Sequence, residues 1–167
     1  VVDAGWEIDK IIETANEEKL KINKIILTHS HFDHIQRVDE LASRTNSTVY
    51  FHEDDYDEIK LAIKNSNINL IKLKNNEEIK IRHIKIKVIH TPGHTQGAIC
   101  LLVEKKLLTG DTLFVNAIGR TDLAGGDSIK LFESLQKLKK LDDNTEVYPG
   151  HDYGEMSFST IVNEKRN

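Results

Sequence analysis

The run Thr28-His29-Ser30-His31-Phe32-Asp33-His34, directly behind the apolar stretch Ile25-Ile26-Leu27, puts three imidazoles and a carboxylate into the six consecutive positions 29–34. A neutral imidazole offers one nitrogen lone pair and a carboxylate offers hard oxygen. The set therefore suits a borderline divalent ion such as Zn2+, with Fe2+ or Mn2+ as the other candidates. The spacing is not that of H-E-x-x-H, where two histidines share one face of a helix; here the ligands crowd a loop. H-x-H-x-D-H also divides into two groups, His29 with His31 for one ion and Asp33 with His34 for a second. The bland alternative is a solvated, histidine-rich loop after a strand.

At 167 residues the chain is expected to form a single domain over 1–167, large enough to bury a core. With 38% hydrophobic and 30% charged residues it has the composition of a globular protein, and a net charge of -4 with both signs spread along the chain makes nucleic acid an unexpected partner. Cys100 is the sole cysteine, so no internal disulfide can form and a reducing, cytoplasmic setting is expected. Its neighbours Ile99 and Leu101-Leu102-Val103 make it a core residue rather than a catalytic thiol. No apolar run approaches the ~20 residues of a membrane span and no signal peptide is visible, so no membrane partner is expected. The first residue is Val1, which allows the chain to begin inside a longer protein.

Along the chain, Ile8, Ile11, Ile12 and Ala15 follow helical spacing, a buried strand is expected over Lys24–Leu27, and Ile35, Val38, Leu41 and Ala42 repeat the helical pattern. A short strand at Thr48–Phe51 and a polar helix from Glu53 to Lys64 come next, a succession that indicates an α/β arrangement. From Ile68 to Val88 apolar residues alternate with lysines, and their parity switches between Ile81 and Ile84, which a two-residue turn at Arg82-His83 would explain. His83 is assigned to that turn, and His52 is expected to have no site role. A hairpin through Glu104-Lys105-Lys106, a long loop from Val115 to Gly126, a helix capped by Asp127 or Ser128, and a last strand at Glu146–Tyr148 complete the pattern.

Three further candidate ligands, His94, Asp111 and His151, sit where strands stop and glycine loops start. H-x-H-x-D-H at 29–34, T-P-G-H-T at 91–95, G-D-T at 110–112 and Y-P-G-H at 148–151 resemble, in this order, the motifs of the metallo-β-lactamase-fold hydrolases. The resemblance implies an α/β (α+β) fold, an αββα sandwich of two mixed sheets with outer helices, here without the strands that usually precede the segment matching Val1–Gly5. It implies His29, His31 and His94 on one metal, Asp33, His34 and His151 on a second, and Asp111 bridging them. Aspartate at 111 and the loop Ile118–Asp127 resemble the glyoxalase II-like group, and also the persulfide dioxygenases.

The activity this implies is hydrolysis of a thiolester, S-lactoylglutathione or a smaller acyl-thiol, by a metal-bridging hydroxide that Asp33 helps to orient. The leaving thiol, with a pKa near 8.5, needs little acid help. The main rival is an Fe(II) persulfide dioxygenase holding one ion with His29, His94 and Asp111; a metal-dependent nuclease and a non-enzymatic binding module rank lower. Arg120 and Tyr153 are the candidate substrate contacts: Arg120 either grips a substrate carboxylate or pins its loop by pairing with Asp122 or Asp127. The oligomeric state has no signature in the sequence.

Overall fold

The computed structural model describes residues 1–166, which group into two compact units, Val1–Leu73 and a second that begins at Lys74.

In the first unit the chain runs from helix α1 (Ile8–Glu17) to strand β1 (Lys24–Ile26), through helices α2 (Phe32–Ile35) and α3 (Val38–Thr45), to strand β2 (Thr48–His52). A 3-10 turn at Glu53–Asp55 and helix α4 (Tyr56–Ala62) then lead to strand β3 (Leu70–Leu73). The three strands pair in the order β1-β2-β3 and are parallel throughout, with Ile25 opposite Val49 and Tyr50 opposite Ile71. Parallel neighbours need a crossover, and the helices supply it. Val2 adds a parallel bridge to Ile26, fixing the start of the chain beside β1. The helical apolar faces meet the sheet: Ile8, Val38, Leu41, Ala42 and Ile59 are buried with Ile25, Val49 and Phe51 in one cluster.

The second unit holds a six-stranded mixed sheet of order β11-β10-β7-β6-β5-β4. Its strands are β4 (Glu78–Ile81), β5 (Ile84–His90), β6 (Ile99–Val103), β7 (Lys106–Gly110), β10 (Glu146–Pro149) and β11 (Ser159–Thr160). The strands β8 (Leu113–Phe114) and β9 (Ala117–Ile118) form a separate small hairpin. Ile81 pairs with Ile84 around Arg82-His83, and Arg82 takes a φ of 54°, the left-handed conformation that glycine or asparagine usually supplies in such turns. Helix α5 (Ser128–Leu138) is capped by Asp127, whose Oδ1 accepts from the backbone N–H groups of Ile129 and Lys130, both at 3.0 Å. Leu138 of α5 and Ile161 of the short helix α6 (Ile161–Glu164) share a buried cluster with Ile89, Cys100, Leu107 and Val147 of the sheet. That places Cys100 in the core, as its neighbours predict.

Two elements differ from expectation. Leu70–Leu73 does not continue the alternating pattern that follows it but closes the parallel sheet of the first unit. The β8–β9 hairpin breaks what reads in sequence as one long loop.

Candidate metal centre

The first unit gathers its four candidate ligands at the carboxyl end of β1. His29 follows the strand and is buried, His31 sits before α2, and Asp33 and His34 lie in its first turn. The His29 ring centroid is 4.9 Å from that of His31 and 4.1 Å from that of His34, and Asp33 Oδ2 stands 3.7 Å from His34 Nε2. The Asp33 side chain is half exposed.

Asp3 holds this group in place. Its Oδ1 accepts from the Thr28 backbone N–H at 2.8 Å, and its Oδ2 accepts from the Thr28 hydroxyl at 2.8 Å and from His34 Nδ1 at 2.9 Å. A carboxylate only accepts, so His34 must carry its proton on Nδ1, leaving the lone pair on Nε2. The same logic reaches His29. Thr28 spends its one hydroxyl proton on Asp3, so His29 Nδ1, 3.0 Å away, donates to the Thr28 oxygen and keeps its own lone pair on Nε2. The approach is close: a Cβ on Gly5 would lie 1.8 Å from the Asp33 carbonyl oxygen, so only glycine lets the chain pass from Asp3 beneath the ligand loop.

In the second unit His94, Asp111 and His151 converge at the ends of β5, β7 and β10. Asp111 Oδ2 is 3.6 Å from His94 Nε2 and 3.4 Å from His151 Nε2. Two ligand atoms on one tetrahedral ion, each at ~2.0–2.1 Å, lie about 3.3–3.4 Å apart. The spacing and donor chemistry therefore fit residues sharing an ion. His94 Nδ1 donates to the backbone carbonyl of Arg120 at 2.8 Å, which again leaves Nε2 with the lone pair. Gly119 permits that contact, since a Cβ there would meet the Asp111 carbonyl oxygen at 1.9 Å and His94 Nδ1 at 3.3 Å.

The buried hydroxyls of Thr91 and Thr112 lie 3.0 Å apart, joining the loop that carries His94 to the residue after Asp111. Thr91 Oγ1 also reaches Cys100 Sγ at 3.4 Å. From outside, Ser134 of α5 donates to the Pro92 carbonyl at 2.8 Å, and the Asp127 N–H donates to Gly93 O at 2.8 Å.

The candidate substrate contacts are placed differently from each other. The Arg120 guanidinium makes a two-point fork with Asp122, at 2.7 and 2.8 Å, and both side chains are exposed. The guanidinium pulls the Asp122 carboxyl down to about 2, and Asp122 raises Arg120 in turn. Tyr153 is exposed and stacks on the His151 ring, centroids 4.9 Å apart and planes 11° off parallel, with Phe114 on its other contact at 5.4 Å. His52, given no role from sequence, accepts at Nδ1 from the Asp54 N–H at 3.3 Å and caps the 3-10 turn. Asp3, Thr28 and the Arg120 carbonyl were not legible as site residues. The sole sequence signal was Asp3 at a strand end before a glycine.

The sequence profile described as "Metallo-beta-lactamase superfamily" matches residues 1–151. The chain is 35% identical over 162 residues to "Probable polyketide biosynthesis zinc-dependent hydrolase PksB" of Bacillus subtilis, covering 96% of this chain and 70% of that one. It is 32% identical over 160 residues to a hydroxyacylglutathione hydrolase of Francisella tularensis subsp. novicida, covering 92% and 60% respectively. Among solved structures, ETHE1 from Myxococcus xanthus superposes with a TM-score of 0.86 at 32% identity, over 99% of this chain and 70% of that one.

Proposed function

Since the chain belongs to the metallo-beta-lactamase superfamily, we propose that it is a metal-dependent hydrolase of thiolesters, acting on a small hydroxyacyl-glutathione or a simpler acyl-thiol. The observation that carries this reading is the pair of donor sets in which His29, His34 and His94 each present Nε2 with the tautomer fixed from behind. Such locked imidazoles, together with Asp111, suit a divalent ion; the name of the Bacillus subtilis relative favours Zn2+, with Fe2+ or Mn2+ as alternatives. In this proposal His29, His31 and His94 hold one ion, Asp33, His34 and His151 a second, and Asp111 serves both.

A bound divalent ion lowers the pKa of water to near 7 and polarises an acyl oxygen. The chain's own residues do the rest. The exposed Asp33 carboxylate accepts a hydrogen bond from the attacking water and aims its lone pair at the acyl carbon. Thiolate departure needs no dedicated acid, because a thiol near 8.5 is already a good leaving group. Tyr153, stacked on His151, offers a flat face to the substrate. We place the protein in the cytoplasm on its single buried thiol, Cys100. No helix of the described residues is long and apolar enough to cross a membrane.

The subset His29, His94 and Asp111, two histidines and a carboxylate, supports a second reading, an Fe(II) persulfide dioxygenase. One experiment separates them: metal analysis of protein purified without added metal, with thiolester cleavage and oxygen uptake on glutathione persulfide measured side by side. Thiolester cleavage that needs His34 and His151 supports the hydrolase; one bound iron, oxygen uptake and no cleavage overturn it.

A further inference from the structure

Resting on the hydrolase reading, we infer that the thiol end of the substrate is uncharged, an acyl ester of a neutral alkyl or amide-bearing thiol rather than of glutathione. Asp122 sets this preference by occupying Arg120.

The chain around the second unit's ligands is poor in available cations. Within 90–98, 111–127 and 148–158 the one lysine or arginine is Arg120, against Asp111, Asp122, Asp127, Asp152 and Glu155. The nearest lysines of α5 are turned to other tasks: Lys130 Nζ donates to Gln96 Oε1 at 2.6 Å, and Lys137 Nζ donates to the His90 carbonyl. Glutathione in a thiolester carries two carboxylates and one ammonium, a net negative charge for which these segments offer no cationic side chain besides Arg120.

Arg120 would be the natural grip for a carboxylate, but both oxygens of Asp122 occupy its Nε–Nη2 edge and balance its charge. An exposed pair of this kind adds little to stability. Its effect is on selection, because a carboxylate two residues away is present at an effective concentration of roughly millimolar or more, which a dissolved substrate must outcompete. With Asp122 held at about 2, the fork is intact across the whole neutral range. What the surface does offer is apolar: Tyr153 against His151, with Met156 and Phe158 exposed along the same segment and Ile118 and Leu123 exposed in the Arg120 loop. A neutral, partly apolar thiol matches both the charge and the lining.

The test compares S-lactoylglutathione with the S-lactoyl ester of N-acetylcysteamine on zinc-loaded protein, alongside calorimetric binding of the unreactive S-hexyl thioethers of the same two thiols. The natural sequence should favour the neutral ester in kcat/KM, and the neutral thioether in affinity, by roughly tenfold or more. Asp122→Asn should raise the glutathione-to-neutral ratio by roughly tenfold, and the gain should vanish when Arg120→Gln is added, which keeps the backbone carbonyl on His94. Preference for the glutathione compounds, or an unchanged ratio in Asp122→Asn, overturns the inference. If neither ester is cleaved but the thioethers keep the neutral preference and its response to Asp122→Asn, the hydrolase reading falls and the selectivity assignment stands.

Discussion

Asp3 accepts from Thr28 twice and from His34 Nδ1, so Asp3→Ala leaves a largely buried imidazole and hydroxyl without their acceptor. The expected cost is about 1–3 kcal/mol in urea unfolding of the metal-free protein, with zinc affinity lower by roughly 10–100-fold in chelator competition. Native affinity in this variant would show that the histidines are oriented by something else. The candidate ligands were legible because histidine and aspartate at strand ends announce their chemistry. Asp3 was not, because its partners lie 25 and 31 residues away and its role appears only once Val2 pairs with Ile26. Cys100 carries a second residue-scale prediction. Burial pushes its thiol from 9.0 up to about 11, so the unfolded chain ionises first and the folded state resists. That contribution is intact below about pH 9 and is lost as pH rises through about 11, an effect on the order of 2–3 kcal/mol. Urea melts from pH 7 to 11 should fall off less steeply for Cys100→Ala, and an identical pH slope in the variant would contradict the assignment.

At the scale of elements, two loops must keep His94 and Asp111 in register, and the 3.0 Å contact between the Thr91 and Thr112 hydroxyls ties them together in the interior. Thr112→Val keeps the shape and removes the hydrogen bond, leaving Thr91 with one fewer partner. The expected loss is about 1–3 kcal/mol of stability together with weaker metal binding, whereas Thr112→Ser should restore both. Metal affinity that falls equally in the serine variant would point to methyl packing instead. The strands that carry these loops were readable from alternation, and the Arg82-His83 turn from the parity switch it repairs. Leu70–Leu73 was readable as a strand but not as a partner of β2, because periodicity records which face is buried and says nothing about the neighbour. The β8–β9 hairpin, two residues a side, is too short to leave any period at all.

For the whole molecule, the order of the four motifs along the chain was enough to identify the family, since each motif lies at or just after the end of a different strand and the family model spans all four. What the motifs leave open is the metal, and the donor geometry makes that a question of linkage. An ion that binds the folded chain and not the unfolded one adds about 2.7 kcal/mol when present at a hundred times its dissociation constant. For a chain of this length that raises Tm by roughly 5–10 °C. Removing metal with a chelator should therefore lower Tm by this amount, and zinc should restore it with one or two ions per chain. Asp111→Asn, which weakens the carboxylate lying 3.4 and 3.6 Å from two imidazole nitrogens, should abolish most of that zinc-dependent shift while leaving the metal-free Tm nearly where it was. A full zinc shift in Asp111→Asn would remove Asp111 from the metal centre, and the two-ion proposal that depends on a shared carboxylate would go with it.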